Sequence, residues 1–168
     1  TAASFVVAGA GVPVAKHGNR SMTSKSGSAD VLTELGVDIT LPPEKVSECI
    51  AEIGIGFMFA PSLHPAMKYA MGARVALGMR TVFNILGPLC NPAGVTRQLM
   101  GIFDGNLTHK IAKVLQKLGS QHAMIAHGDD GLDEISTTSS TKISHLKIDG
   151  EIESMAISPS DYGFEKST

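Results

Sequence analysis

Between residues 12 and 126, short apolar runs of strand length alternate with longer runs of helical spacing; the chain then closes on two alternating segments, Ile143–Ile148 and Glu151–Ile157, joined by Asp149-Gly150. Few folds accommodate that order. Strands separated by helices pair in parallel, because the chain must cross back over the sheet before it can repeat its direction. An Asp-Gly pair between alternating runs marks a tight turn, so the last two strands add antiparallel. The pattern predicts an α/β fold with a mixed sheet flanked by helices.

The individual elements carry their own punctuation. Ser4–Ala10 predicts a helix or a buried apolar segment, and Val12–Ala15 a short strand. Ala29–Leu35 reads as a helix stopped by Gly36, with Ser28 as N-cap and Asp30 favouring the positive end. Leu41-Pro42-Pro43-Glu44 starts a second helix, on which Val46, Cys49, Ile50 and Ile53 share a face and which Gly54 ends. Gly56–Ala60 predicts a strand, Pro65 to about Leu77 a helix, and Thr81–Leu86 a helical piece closed by Gly87-Pro88. Arg97–Phe103 and His122–Ala126 predict strands around an amphipathic helix, Thr108–Leu118, ended by Gly119.

Charge and cysteine usage exclude several function classes. The net charge of −2 gives no field that would hold the chain on nucleic acid or on an anionic membrane. Cys49 and Cys90 are too few for a disulfide framework, so a reducing, cytoplasmic setting is expected. The opening apolar run is too short and too broken by glycine to span a bilayer. It reads as buried structure in a chain that begins within a longer protein.

Three constellations carry chemistry. Lys16 to Asp30 packs three cationic side chains, five hydroxyls and two glycines into a loop ahead of a helix start. Hydroxyls and open backbone N–H groups beside Lys and Arg form a cradle for phosphate oxygens. Arg74 is the second, sharing a helical stripe with Met67, Ala70, Met71 and Gly78. A guanidinium amid apolar residues needs an internal carboxylate, a path to water or a ligand carboxylate, and spacing leaves all three open. The third is Asp129-Asp130-Gly131-Leu132-Asp133-Glu134, four carboxylates within six residues after a predicted strand. By itself this is a solvated acidic loop; paired with a phosphate cradle it suits Mg²⁺ bridging carboxylates and phosphates.

The residues that carry these features also carry a likeness. Lys16-His17-Gly18-Asn19-Arg20 through Gly27-Ser28-Ala29-Asp30 resembles the signature loop of anthranilate phosphoribosyltransferases, enzymes of tryptophan biosynthesis. The likeness continues through Phe59-Ala60-Pro61, His64-Pro65-Ala66-Met67, Arg80 to Leu89, Asn91-Pro92, His127-Gly128, Gly131 to Glu134 and Ser158-Pro159. It implies that Lys16, His17, Gly18, Asn19, Arg20, Ser21, Met22, Thr23, Ser24 and Ser28 line a phosphoribosyl pyrophosphate site. Asn19 and Arg74 would hold anthranilate, and Asp133 and Glu134 would bind Mg²⁺; no residue is assigned as nucleophile or base.

The resemblance further implies the catalytic-domain fold shared with nucleoside phosphorylases and a homodimeric full-length parent. The family's glycine-rich Gly-Thr-Gly-Gly-Asp loop and amino-terminal helical domain have no counterpart here, so residues 1–168 are expected to form part of the phosphoribosyltransferase α/β domain. Two other readings are a pyrimidine nucleoside phosphorylase and a non-catalytic, nucleic-acid-binding relative of the same fold. The former carries a Ser-Gly-Arg-type loop where this chain has His17-Gly18-Asn19-Arg20, and the latter would show a basic surface.

Overall fold

In the computed structural model, residues 1–20, 26–79 and 81–165 are described, with the backbone alone for 71, 74 and 75. The expected phosphate ligands Ser21, Met22, Thr23 and Ser24 lie outside the described residues, as does the side chain of Arg74. Contacts divide the chain into two units, Thr1–Ala93 and Gly94–Thr168.

The first unit is built on two parallel strands. It runs α1 (Ala2–Gly9), β1 (Val14–Gly18), α2 (Ser28–Glu34), α3 (Pro43–Ile53), β2 (Ile55–Phe59), α4 (Ala60–Leu63), a 3-10 turn at Pro65–Met67, α5 (Lys68–Leu77) and α6 (Phe83–Leu89). β1 pairs with β2 in the register Lys16↔Phe57, His17↔Met58 and Gly18↔Phe59. Ala29 and Leu32 of α2 bury with Ile39 against Phe57 and Phe59. As expected, α3 starts on proline and ends on Gly54 in the left-handed region, which only glycine adopts cheaply.

Several expectations need correction here. α1 is helical, but none of its residues is buried, and Phe5, Val6 and Val7 are exposed. A helix apolar on every side can cover only the stripe that faces its neighbours, here β1 and β2. The N-cap of α2 is Gly27, not Ser28: the Asp30 carboxylate accepts the Gly27 N–H at 2.8 Å, and the Ser28 hydroxyl accepts from Thr1 at 2.8 Å. Pro88 lies inside α6 instead of ending it. Near the end of a two-turn helix, proline forfeits a single backbone bond, and the Cys90 N–H reaches the Gly87 carbonyl to tighten the last turn.

The second unit is a four-stranded mixed sheet in the order β3-β4-β5-β6: β3 (Arg97–Gly101), β4 (His122–Gly128), β5 (Thr141–Leu146) and β6 (Ile152–Ile157). β3 and β4 are parallel, linked through α7 (Thr108–Lys117), while β4, β5 and β6 are antiparallel neighbours. The strand-helix-strand unit and closing hairpin match the predicted order. The strands nevertheless divide into two sheets rather than one. Thr108, Ile111, Ala112 and Leu115 bury one stripe of α7, which packs on β4 and β5. Buried hydroxyls there are satisfied, Ser144 donating to Thr108 at 2.9 Å, Thr108 to the Gly105 carbonyl at 3.1 Å, and Thr141 accepting the Ser136 N–H at 2.9 Å. Among the described residues, no helix is long and apolar enough to cross a membrane.

Candidate functional site

Parallel strands present their carboxyl ends as the natural ligand edge of an α/β sheet, and each unit gathers sequence-predicted residues at such an edge. In the first unit β1 runs further than expected, and Lys16, His17 and Gly18 belong to the strand rather than to the loop. They pair with β2 in a parallel register, in which alternate residues of β1 spend their backbone groups on the ladder. Alternation along a strand sends neighbouring side chains to opposite faces. Lys16 lines a cavity of about 150 Å³ together with Thr1, Leu32, Val46 and Phe57.

His17 instead meets His64, from the turn after α4. Their Nε2 atoms are 3.2 Å apart and the rings stand edge to face with centroids 5.1 Å apart. Burial holds the His17 imidazole below its usual pKa of 6.5, the facing His64 adds to that, and a hydrogen bond to the Gly87 main chain partly offsets it. The sign follows: below 6.5 the unfolded chain takes up this proton before the folded one does, so folding stability falls on acidification. Melting temperature is expected to drop as pH is lowered through 6.5, with a shallower slope in His17→Gln. An unchanged slope would deny His17 that role.

The strand end and the α2 start are drawn tightly together. A Cβ on Gly18 would come within 2.9 Å of the Phe57 ring and 3.5 Å of the Ser28 Cβ. The Asn19 carbonyl accepts the Ala29 N–H at 3.2 Å, and the Asn19 side-chain oxygen accepts the Arg20 N–H at 2.7 Å. The Arg20 guanidinium reaches Asp30 at 3.1 Å. That pair is open to water, so it orders the loop more than it stabilises the fold. The Asn91 side chain donates to the Ala15 carbonyl at 3.1 Å, tying the segment after α6 to β1.

In the second unit the acidic loop leaves β4 at Gly128, and the structure sorts its four carboxylates. Asp130 is exposed but spends its carboxylate on the loop: Ser136 and Thr138 both donate to its Oδ2, and the Leu132 N–H donates to Oδ1 at 3.2 Å. These donors, the hydroxyls first, hold its pKa down to about 2. Asp133 and Glu134 are exposed, and among the described residues neither carboxylate has a hydrogen bond or ion pair. The main chain of Asp133 lies directly against Gly101, the last residue of β3.

The donor set at Asp133-Glu134 fits a hard divalent cation. Two adjacent free carboxylates suit Mg²⁺, which keeps waters and takes further oxygens from phosphate. Among the described residues no group of three or more His, Cys, Asp or Glu could hold a metal ion. Sequence reasoning missed the Gly101 contact, the His17–His64 pairing and the hydroxyl set around Asp130. Only the last had a local signal, the run Ser136-Thr137-Thr138-Ser139-Ser140 that follows the acidic residues.

Comparison with known proteins bears on both clusters. Residues 1–168 match the family model described as glycosyl transferase family, a/b domain. An anthranilate phosphoribosyltransferase of Xanthobacter autotrophicus is 58% identical over 166 residues, covering 99% of this chain and 48% of that protein. One from Azorhizobium caulinodans is 57% identical with the same coverage. The crystal structure of the Thermus thermophilus anthranilate phosphoribosyltransferase superposes with a TM-score of 0.86 at 42% identity, over 99% of this chain and 48% of that one. The Saccharomyces cerevisiae enzyme in complex with PRPP and Mg gives 0.88 at 31% identity, over 99% and 46%. The chain thus spans about half the length of the curated relatives it matches.

Proposed function

The chain belongs to the glycosyl transferase family through its a/b domain, and on that premise we propose that the protein transfers phosphoribosyl from phosphoribosyl pyrophosphate to anthranilate. The observation that carries this reading is 58% identity over 166 residues to an enzyme of that activity. It is supported by the retained Lys16-His17-Gly18-Asn19-Arg20 run and by two exposed carboxylates that, among the described residues, have no internal partner. Residues 1–168 then form part of a phosphoribosyltransferase α/β domain, and the same reading carries a homodimeric, cytoplasmic protein acting in tryptophan biosynthesis.

In the reaction the anthranilate nitrogen bonds to the anomeric carbon of the ribose. The carbon–oxygen bond to pyrophosphate breaks with its electron pair on the leaving group, and the nitrogen loses a proton to solvent. An aromatic amine is a weak nucleophile, so departure of pyrophosphate limits the rate. Lys16, the groups from His17 to Ser24, and Ser28 bind the phosphates and offset the charge that grows on them. Asn19 and Arg74 orient the amine, turning a bimolecular encounter into a positioned one. Asp133 and Glu134 would hold Mg²⁺, which when bound would supply positive charge to phosphate oxygens.

The test is direct. The natural protein that contains this chain, mixed with anthranilate, phosphoribosyl pyrophosphate and Mg²⁺, is expected to consume anthranilate fluorescence only when all three are present. Folded protein that leaves anthranilate untouched but cleaves pyrimidine nucleosides with phosphate would replace this reading with the phosphorylase one. Salt-sensitive retention of DNA with no turnover would favour the nucleic-acid-binding relative.

A further inference from the structure

We propose that Asp130 is a positioning carboxylate: with Ser136 and Thr138 it clamps the loop that carries Asp133 and Glu134, so that this pair meets a divalent cation already ordered. The inference rests on the assignment of Asp133 and Glu134 as Mg²⁺ ligands. Two neighbouring carboxylates repel one another, and an exposed loop would hold them apart in many arrangements. Binding a cation to such a loop costs the entropy of ordering it. The structure carries a device that removes this cost without touching the pair.

The clamp closes from both ends of the loop. At its base, the Gly128 N–H donates to the Leu132 carbonyl at 2.8 Å and the Asp129 N–H to the Ser140 carbonyl at 2.9 Å. In its middle, Asp130 accepts Ser136, Thr138 and the Leu132 N–H, while its own N–H donates to the Ser139 hydroxyl at 3.0 Å. Ser136 is the hub. Buried to 4% exposure, it accepts the N–H groups of Thr138 and Ser139 at 2.9 and 3.0 Å and donates its own N–H to Thr141 at 2.9 Å. Thr141 is fully buried and opens β5. The strand therefore anchors Ser136, Ser136 anchors Asp130, and Asp130 fixes the turn that leads into Asp133. A partner that orients a metal ligand through such bonds commonly sets affinity by roughly 10- to 100-fold, so we expect about a tenfold effect.

Mn²⁺ binding by the intact protein, followed by the paramagnetic resonance of free Mn²⁺, reads this without turnover. The double variant Ser136→Ala/Thr138→Val keeps all four carboxylates and is expected to bind Mn²⁺ about tenfold more weakly. Thr138→Ser keeps its hydroxyl and should bind as wild type, and Asp129→Asn, which removes a charge but no clamp bond, should change affinity by less than about twofold. Should the double variant fail to fold, Thr138→Val alone against Thr138→Ser carries the comparison. Wild-type affinity in the folded valine variants, with binding lost in Asp133→Asn/Glu134→Gln, would overturn the clamp and leave the metal ligands standing. Wild-type affinity in Asp133→Asn/Glu134→Gln would overturn both.

Discussion

Gly101→Ala is expected to destabilise the protein by about 3 kcal/mol and to abolish cation binding at the acidic loop. Gly101 ends β3, paired with Ala126, and an added Cβ would overlap the main-chain carbonyl of Asp133. A flexible side chain in the way could rotate aside, as the Phe57 ring could for Gly18. A backbone carbonyl cannot, so either the strand end leaves its ladder or the loop lifts from the sheet. Overpacking of this kind costs about 1–3 kcal/mol, occasionally more, and a main-chain obstacle puts it at the upper end. Urea unfolding of the variant beside Mn²⁺ titration measures both consequences. Wild-type stability with wild-type affinity would mean that the Asp133 main chain does not sit on Gly101.

The second large effect is expected in substrate selection. Arg74→Ala in the natural protein should lower kcat/KM for anthranilate by roughly a hundredfold or more while leaving phosphoribosyl pyrophosphate binding nearly unchanged. Residue 74 lies on α5, within a stripe whose other members are apolar or small. A guanidinium on such a stripe needs a carboxylate or a path to water, and under the proposed function a substrate carboxylate would meet it with two parallel hydrogen bonds. Truncating one side of such a charge pair typically costs about 2–5 kcal/mol, which is the stated loss in rate. Arg74→Lys should recover only part of it, because an ammonium cannot make the bidentate contact. Steady-state kinetics varying each substrate in turn separates the outcomes, and equal losses for both would contradict the carboxylate role.

Both effects illustrate how differently the two clusters could be read beforehand. The stripe around Arg74 is a matter of helical period, visible in any window of the sequence. The Gly101–Asp133 contact joins residues 32 positions apart through a sheet edge, and nothing local announces it. The acidic loop falls between these cases. Its four carboxylates are plain in the sequence, but the setting apart of Asp130 from the exposed, adjacent Asp133 and Glu134 follows from hydroxyls six and eight residues further on. His17 and His64 each stand within a recognisable run of the sequence, but their pairing spans 47 residues and has no local signal.

What the sequence by itself determined are the features written in local energetics. The α3 boundaries follow from Pro43 and Gly54, the buried stripe of α7 from its 3.6-residue period, and the final hairpin from Asp149-Gly150. The tertiary structure alone decided that Lys16, His17 and Gly18 are strand rather than loop, and that the strands form two sheets. It also decided which acidic residue the protein keeps for its own loop. The reason is common to all three: each rests on hydrogen bonds whose partner is set by folding rather than by neighbouring sequence. β1 extends to Gly18 because β2, some 40 residues away, supplies its ladder.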